Sequence, residues 1–289
     1  MILTLLFALF QQAPELTSPL GKALYANPDT PKLAEARKIY ESDQGNADHL
    51  FALARAHDDS WQFRRSIELY SQGMERFPND FRFPRYRGHR YISMRQFPKA
   101  IADLERARKL ASSGFDVAYH LGLAHYLNGD FKQAAREYGR CLELAGHPVK
   151  KGNLPPAVRS CTELDEDDNS RIALAEWQYR ALLRAGDKPN AAALLGAIRE
   201  GMKVSTNGAY YRTLLYYKGL MKQDEILPKP NSADSNAFPT IAYGIALHHQ
   251  LEGRKQAACD LYRQIVEERA WSAFGYIAAE AELARGACR

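Results

Sequence analysis

The chain has 289 residues, of which 46% are hydrophobic and 25% are charged. This composition is that of an ordinary globular protein long enough for one extended domain, and it excludes a chain that is disordered throughout. The formal net charge of +5 at pH 7 is modest and does not by itself select a class of partner.

The chain begins with an unbroken apolar run, Met1 to Phe10, which is too short to span a bilayer as a helix. It is similar to the apolar core of a signal peptide with a cleavage point after Ala13. No Lys or Arg precedes it, however, and Gln11 stands where a small residue is usual. We predict a signal peptide over residues 1–13 and an exported protein, periplasmic or secreted. The alternative is an N-terminal helix packed on the first hairpin of a cytoplasmic protein.

Residues 17–46 are predicted to form a degenerate first helical hairpin. Pro19, Pro28 and Pro31 begin or break helices in this stretch, and an apolar face with helical spacing follows in residues 32–42. An irregular unit suits the end of an array, because it has a neighbour on one side only.

From residue 47 onwards, one pattern returns three times at a fixed spacing of 34 residues. The spacing holds for three sets of equivalent positions, which are Ala54, Gly88 and Gly122, then Ser66, Ala100 and Ala134, and finally Tyr70, Leu104 and Tyr138. In each unit the small and apolar positions fall at helical spacing in two successive runs, which predicts a hairpin of two helices. One hairpin cannot bury its apolar face alone, so neighbouring hairpins must stack.

The remainder of the chain continues this array, and a single domain is predicted over residues 14–289. Clear repeats are placed at about 47–80, 81–114 and 115–148, an insert at about 147–169, and further repeats at about 170–204, 205–236 and 239–270. The repeat at 205–236 is degenerate because prolines interrupt its second helix. A lone helix within 271–289 is expected to cap the array. The insert is interpreted as a tolerated loop rather than a functional one.

The residues at the repeat positions resemble the tetratricopeptide repeat family. Small residues at three unit positions and large ones between them carry the resemblance, as in Leu53, Ala54 and Tyr70, in Gly88, Ala100 and Leu104, and in Gly122, Ala134 and Tyr138. The resemblance implies an all-α fold, a right-handed α-solenoid of stacked antiparallel helical hairpins. The alternative is a helical bundle whose periodicity is accidental.

The resemblance also implies a concave groove, lined by the first helix of each repeat, in which partners bind. The family's groove positions fall in this chain on Phe51, Arg55, Arg82, Arg85, Tyr86, His89, Tyr119, His120 and Tyr126. Arginine beside aromatic side chains suits an extended peptide, since guanidinium groups bind carboxylates and aromatic rings supply rigid contact area. We therefore expect a non-enzymatic scaffold that binds a peptide segment or a partner subunit.

One known use of the family, capture of a chaperone's C-terminal carboxylate, requires Lys, Asn and Arg at positions that differ in this chain. Those positions hold Phe51, Arg55, His89, Asp116 and His120. That specificity is therefore not expected, although the peptide-binding mode remains open.

Two other functions stay open. Residues 60–110 hold twelve Lys or Arg against five Asp or Glu, so the second repeat could present a basic patch to a polyanion or nucleic acid. Solvated helix faces explain the same charges, and nucleic acid is the less favoured partner. A small molecule or cell-wall fragment could instead occupy the interior, if Tyr210 to Tyr217 lined a deep pocket.

The four cysteines show no zinc-site spacing and are candidates for disulfides. In an exported protein, Cys141 would pair with Cys161 and Cys259 with Cys288; in a cytoplasmic one, all four would be reduced thiols. The histidines are poorly placed as joint ligands, and the chain has no hydrolase, metalloprotease, phosphate-loop or dinucleotide-binding motif. We therefore expect no catalysis, no metal and no cofactor.

Overall fold

A computed structural model describes residues 13–145, 154–155, 158–232 and 236–289 of the chain. Within these ranges the structure is almost entirely helical, as predicted, and the all-α fold is confirmed. The helices are α1 (Pro31–Ser42), α2 (Ala47–Asp59), α3 (Phe63–Arg76), α4 (Arg82–Ser93), α5 (Phe97–Leu110), α6 (Phe115–Asn128), α7 (Phe131–Glu143), α8 (Asp168–Arg184), α9 (Lys188–Ala197), α10 (Gly208–Tyr217), α11 (Gln223–Ile226), α12 (Ala237–Leu251), α13 (Lys255–Ile265) and α14 (Phe274–Ala284). None of the described helices is both long enough and apolar enough to cross a membrane.

The helices stack as successive hairpins. Helices α2 and α3, α4 and α5, α6 and α7, α8 and α9, and α12 and α13 pack in pairs, and α3, α5 and α7 each also contact the helix that follows the pair. Helix α10 is followed only by the single turn of α11, where a shortened second helix is expected. Helix α14 lies alone against α12 and α13 and covers the end of the array.

The first unit differs from the helical hairpin predicted for residues 17–46. It contains one helix, α1, preceded by a two-stranded antiparallel sheet of β1 (Leu16–Thr17) and β2 (Ala23–Leu24). The turn between the strands includes Gly21 at a φ of +81°, a left-handed conformation that favours glycine and ends regular structure. Helix α1 begins where Thr30 accepts a hydrogen bond from the backbone N–H of Leu33. The predicted signal peptide falls almost wholly on residues 1–12, outside the described residues.

The small residues of the repeat pattern lie where two helices of a hairpin touch. A Cβ atom on Gly88 would lie 2.7 Å from Cγ of Leu104, and one on Gly122 would lie 2.6 Å from the ring of Tyr138. Leu104 and Tyr138 are themselves equivalent positions of successive repeats, and both are fully buried. The spacing of 34 residues therefore records one recurring contact between the helices of a hairpin.

The two ends of the array meet, so that the stack closes on itself. The ring of Trp271, just before α14, lies edge-on against Trp61 at 5.4 Å and Phe63 at 5.3 Å between centroids. Its indole N–H donates a hydrogen bond of 3.1 Å to the carbonyl oxygen of Tyr25. On the edge of the N-terminal sheet, Lys22 Nζ donates to the carbonyl oxygen of Val266 at 2.7 Å. The N-terminal segment and the junction of α2 and α3 therefore both contact the residues that connect α13 to α14.

A buried ion pair reinforces this closure. Arg95, which follows α4, pairs with Glu280 on α14 at 2.6 Å, and their side chains are 4% and 1% exposed. The same guanidinium donates to the carbonyl oxygen of Trp271 at 2.9 Å. Nearby, Arg285 donates to the carbonyl oxygen of Leu127 at the end of α6. Both charges of the Arg95 pair are compensated only while the ends of the array are in contact.

Two disulfides join the cysteines in the sequential pairs considered above. Cys141 on α7 is bonded to Cys161, which begins a short 3-10 turn, Cys161–Glu163, in the insert. Cys259 on α13 is bonded to Cys288 near the C-terminus. The first bond ties the insert to the third clear repeat, and the second ties the residues after α14 to the last hairpin.

The substitution Arg95→Met is expected to lower the free energy of unfolding by about 3–5 kcal/mol, because it leaves the Glu280 carboxylate buried without a partner. The matched control is Arg65→Met, which breaks the exposed Arg65–Glu68 pair and should cost less than about 1 kcal/mol. Urea denaturation of both variants measures the difference. Equal losses would contradict a closed array held by the buried pair.

The substitution Gly122→Ala is expected to cost about 1–3 kcal/mol, because the new methyl group would overlap the buried ring of Tyr138. Gly196→Ala on α9 is the control, since no atom outside its own helix lies within 4 Å of the added Cβ. That control should gain about 0.5–1 kcal/mol from helix propensity. Thermal unfolding measures both variants, and a Gly122→Ala protein as stable as the wild type would show that the contact between Gly122 and Tyr138 leaves room for a methyl group.

Candidate functional site

A cleft lies between the early repeats and the C-terminal helices that close the array. It consists of two adjoining cavities, one of about 420 Å³ beside Arg85 and Asp116, here called the arginine cavity, and one of about 450 Å³ beside Trp61 and Ser272, here called the tryptophan cavity. The cavities share four lining residues, His89, Asn207, Tyr210 and Phe274. The cleft is what remains of the predicted concave groove after closure.

Both walls of the cleft are set by aromatic contacts. On α14, the ring of Phe274 lies 5.4 Å from His89 and 5.7 Å from His120, so it faces the early repeats across the cleft. At the inner end, the hydroxyl groups of Tyr119 and Tyr210 are 3.1 Å apart. These contacts join α4 and α6 to α10 and α14, and they give the cleft rigid walls.

Arginines outnumber carboxylates around the cleft. Arg85 and Arg159 both contact Oδ1 of Asp116, at 3.2 Å and 2.7 Å. In the same way, Asp58 is shared by two arginines, Arg55 at 3.1 Å and Arg90 at 3.6 Å. Four guanidinium groups therefore face two carboxylates, with Asp59 at 4.0 Å from Arg55 as a further distant partner. The cleft carries excess positive charge and attracts anionic groups.

Several buried polar atoms of the cleft lack a hydrogen-bond partner among the described residues. They are Nε of Arg85 and Nδ1 of His89, together with Nε of Arg90 and Oδ1 of Asp58, which face each other at 3.6 Å. The Arg85 side chain is 8% exposed, and its guanidinium lies 3.9 Å from the ring centre of Tyr86. Buried donors are nearly always paired in folded proteins, so this group of unsatisfied atoms points to solvent or a ligand in the cleft.

The two cleft histidines are neutral at ordinary pH. Burial and, next, the charge of Arg85 lower the pKa of His120 to about 3, and burial together with Arg90 lowers the pKa of His89 well below its ordinary value. Burial alone would raise the pKa of Asp116, but the charges of Arg85 and Arg159 lower it overall. The charge of the cleft therefore comes from its arginines and aspartates, not from histidine.

The structure brings six of the nine predicted groove residues to the cleft. Arg55, Arg85, Tyr86, His89, Tyr119 and His120 all line the arginine cavity. Arg82 and Phe51 lie outside it, with the Arg82 guanidinium 4.9 Å above the Phe51 ring and paired with Asp48 and Asp80. Tyr126 is fully buried, and its hydroxyl is 2.7 Å from that of Tyr243. The groove is thus closed at Tyr126 by α12.

Other cleft residues were not expected from the sequence. Phe115 lies at the start of α6, and Arg159 comes from the insert, whereas Asn207 and Phe274 reach the cleft because the array closes. Arg90 also lies on α4, directly after the predicted groove residue His89. Arg90 could be predicted as a cleft residue only if its contact with Asp58 of α2 were known, and the sequence does not show that contact.

The tyrosine-rich helix α10 contributes only one of its tyrosines, Tyr210, to the two cavities of the cleft. Tyr217 packs instead on Tyr179 at 4.9 Å between ring centroids, and Tyr216 packs on His248 at 5.2 Å. Tyr211 donates its hydroxyl hydrogen to the carbonyl oxygen of Arg199. The row of tyrosines from 210 to 217 therefore serves mainly to hold α10 in place, and does not line one deep pocket.

Many arginines of the basic segment 60–110 form ion pairs within the protein. Arg82 pairs with Asp80, Arg87 with Asp103, Arg95 with Glu280 and Arg108 with Glu137, each at 2.6 Å. Their charge is compensated locally, which weakens the basic patch. Among the residues that the structure describes, no group of three His, Cys, Asp or Glu side chains could hold a metal ion.

Comparison with solved structures returns matches of low sequence identity. A structure of YrrB, described as a TPR protein with an unusual peptide-binding site, is 13% identical, with a TM-score of 0.45 over 80% of this chain and 91% of that one. A structure of MamA is 15% identical, with a TM-score of 0.43 over 57% of this chain and 83% of that one. No curated protein matches the sequence significantly.

One family model matches the chain. It is described as tetratricopeptide repeat and covers residues 86–143, from the middle of α4 to the end of α7. These residues include the hairpin in which Gly122 touches Tyr138. The match identifies tetratricopeptide repeats in residues 86–143, and the stacked helical hairpins continue on both sides of this stretch.

Proposed function

We propose that this protein is a non-enzymatic interaction scaffold that binds a short peptide segment of a partner protein in the cleft. The observation that carries the proposal is the cleft itself, in which buried arginines with unsatisfied N–H groups stand beside rigid aromatic walls. Stacked repeats generally offer concave surfaces to partners. Here that surface has been reduced to an opening between α4, α6, α10 and α14.

The size and chemistry of the cleft favour a peptide. Each cavity has room for a few side chains, and the two adjoin at His89 and Phe274, so a short extended segment can occupy both. Tyr86 and Phe274 supply flat apolar area, while Arg85 supplies a charged donor. Aromatic and arginine side chains in desolvated pockets contribute most of the binding energy in peptide and protein interfaces.

Polyanion binding through the second repeat remains the alternative. It is less favoured because several of its arginines are engaged with Asp80, Asp103 and Glu280. The dependence on salt distinguishes the two functions, since phosphate binding weakens steeply and log-linearly as salt rises. A segment anchored on Tyr86 and Phe274 should lose much less affinity.

Selection of a displayed library of random nonapeptides tests the peptide function. Ala209, half-buried on α10, lines the tryptophan cavity, and Ala209→Trp should fill that cavity and lower the affinity of selected peptides at least about tenfold. Ala192→Trp, on the exposed side of α9, is the matched control and should leave affinity unchanged. Fluorescence anisotropy measures both. A library that yields no binder, or binders indifferent to Ala209→Trp, would contradict the proposal.

We also propose that the protein is exported, to the periplasm or outside the cell. Two disulfides support this location, because such bonds persist in oxidising compartments and are rare in the cytosol. The apolar run of residues 1–10 supports it independently, as the core of a signal peptide.

Intact mass of the protein expressed with its own N-terminus tests export. We expect loss of residues 1–13 and four cysteines that resist alkylation until they are reduced, because both disulfides would already have formed. An intact N-terminus with four alkylated thiols would overturn the proposal. The same measurement after reduction is the control for access of the reagent.

A further inference from the structure

The insert is held firmly against the start of α6. The backbone N–H of Phe115 donates to the carbonyl oxygen of Arg159 at 3.0 Å, and the N–H of Cys161 donates to that of Ser113 at 2.8 Å. Ser160 lies between these bonds, opposite Gly114, and its hydroxyl group caps the 3-10 turn that follows. On the other side of the insert, the disulfide joins Cys161 to Cys141 on α7. The segment 158–163 is therefore anchored to both helices of one hairpin.

This anchoring places Arg159 at the mouth of the arginine cavity. Its guanidinium lies 4.7 Å above the ring centre of Phe115, donates to Oδ1 of Asp116 at 2.7 Å and donates to Oγ of Ser170 at 3.1 Å. The side chain is half exposed, so one side faces the protein and the other faces the opening. A loop that was merely tolerated would not need this set of contacts.

Arg85 and Arg159 share a single carboxylate oxygen. Both contact Oδ1 of Asp116, so two guanidinium groups are balanced by one negative charge. Arg85 has no hydrogen-bond partner for its buried Nε, and its side chain is more than nine-tenths buried. The pair therefore offers both an excess charge and an unused donor at the same point. A carboxylate is the planar anion that matches guanidinium geometry.

We propose that Arg85 and Arg159 form a carboxylate subsite of the cleft, and that the Cys141–Cys161 disulfide holds Arg159 in it. This inference rests on the proposed peptide-binding function and names a feature of its ligand. The bound segment carries a carboxylate, from an Asp or Glu side chain or from its C-terminus, at this point. Reduction of the disulfide releases the insert and weakens binding of that group alone.

Peptides selected from the random nonapeptide library provide the probes. Each peptide is made with its acidic residue and with the matching Asn or Gln in its place. Each is also made with a free and with an amidated C-terminus, so that recognition of a side-chain carboxylate is distinguished from recognition of the terminal one. Loss of the recognised carboxylate should weaken binding about ten- to hundredfold, as for a charged hydrogen-bonded group. Arg159→Gln should cause a similar loss for the acidic peptide and little loss for its neutral counterpart.

Arg136→Gln is the matched control, because Arg136 is exposed on α7 and lies away from the cleft. The disulfide is tested by Cys141→Ser with Cys161→Ser, alongside Cys259→Ser with Cys288→Ser, which removes the distant bond. The Cys141→Ser, Cys161→Ser double variant should lower the affinity for the acidic peptide several-fold and leave the affinity for the neutral peptide unchanged. Arg159→Gln tests the subsite independently if the first pair does not fold.

The outcomes separate the two proposals. If the affinity of the selected peptides changes neither on loss of the carboxylate nor with Arg159→Gln, the subsite is overturned and peptide binding stands. Equal weakening of acidic and neutral peptides by removal of Cys141–Cys161 would overturn the role of the disulfide, since it would report general loosening of the repeat. A library without any binder would overturn peptide binding, and the subsite with it.

Discussion

The burial of Trp271 between the first and last hairpins is the contact on which the shape of the molecule depends. Its ring packs on Trp61 and Phe63, and Arg95 bonds both its carbonyl oxygen and Glu280. An open array would return these aromatic rings to water and separate the two charges. Both charges of this pair are buried, so separation of the ends would leave each of them without its partner.

Closure converts part of the inner surface of the array into core. Tyr126 is bonded to Tyr243, and Tyr119 to Tyr210, across what would otherwise be an open groove. What stays open is the region where arginines share too few carboxylates and cannot be covered by apolar side chains. The cleft is therefore the part of the groove that the protein's own helices do not fill, and its charge follows from that fact.

The insert gains its role from position rather than from composition. A long loop in a compact array is either functional or tolerated, and from the sequence the insert was interpreted as tolerated. In the structure, the disulfide to Cys141 and the backbone bonds to Ser113 and Phe115 place Arg159 beside Asp116. A long connection thereby supplies a charged side chain to a site otherwise built from helices.

The sequence by itself determined the helical hairpins and their stacking. Gly88 and Gly122 stand 34 residues apart because each must touch the large residue 16 positions later, and such contacts are local enough to be recorded as a period. The groove positions came from the family resemblance, and six of them, including Arg55, Arg85 and His120, line the arginine cavity. The limits of the individual repeats and the signal peptide remain predictions from sequence.

Only the tertiary structure decided which groove residues stay accessible. Tyr126 and Tyr119 occupy equivalent faces of one helix, but burial against Tyr243 removes Tyr126 from the cleft, while Tyr119 still lines it. Phe274 and Arg159 come to the cleft from distant parts of the chain. No local spacing encodes such meetings, because they depend on the summed curvature of all the hairpins and on the long-range contact between Arg95 and Glu280.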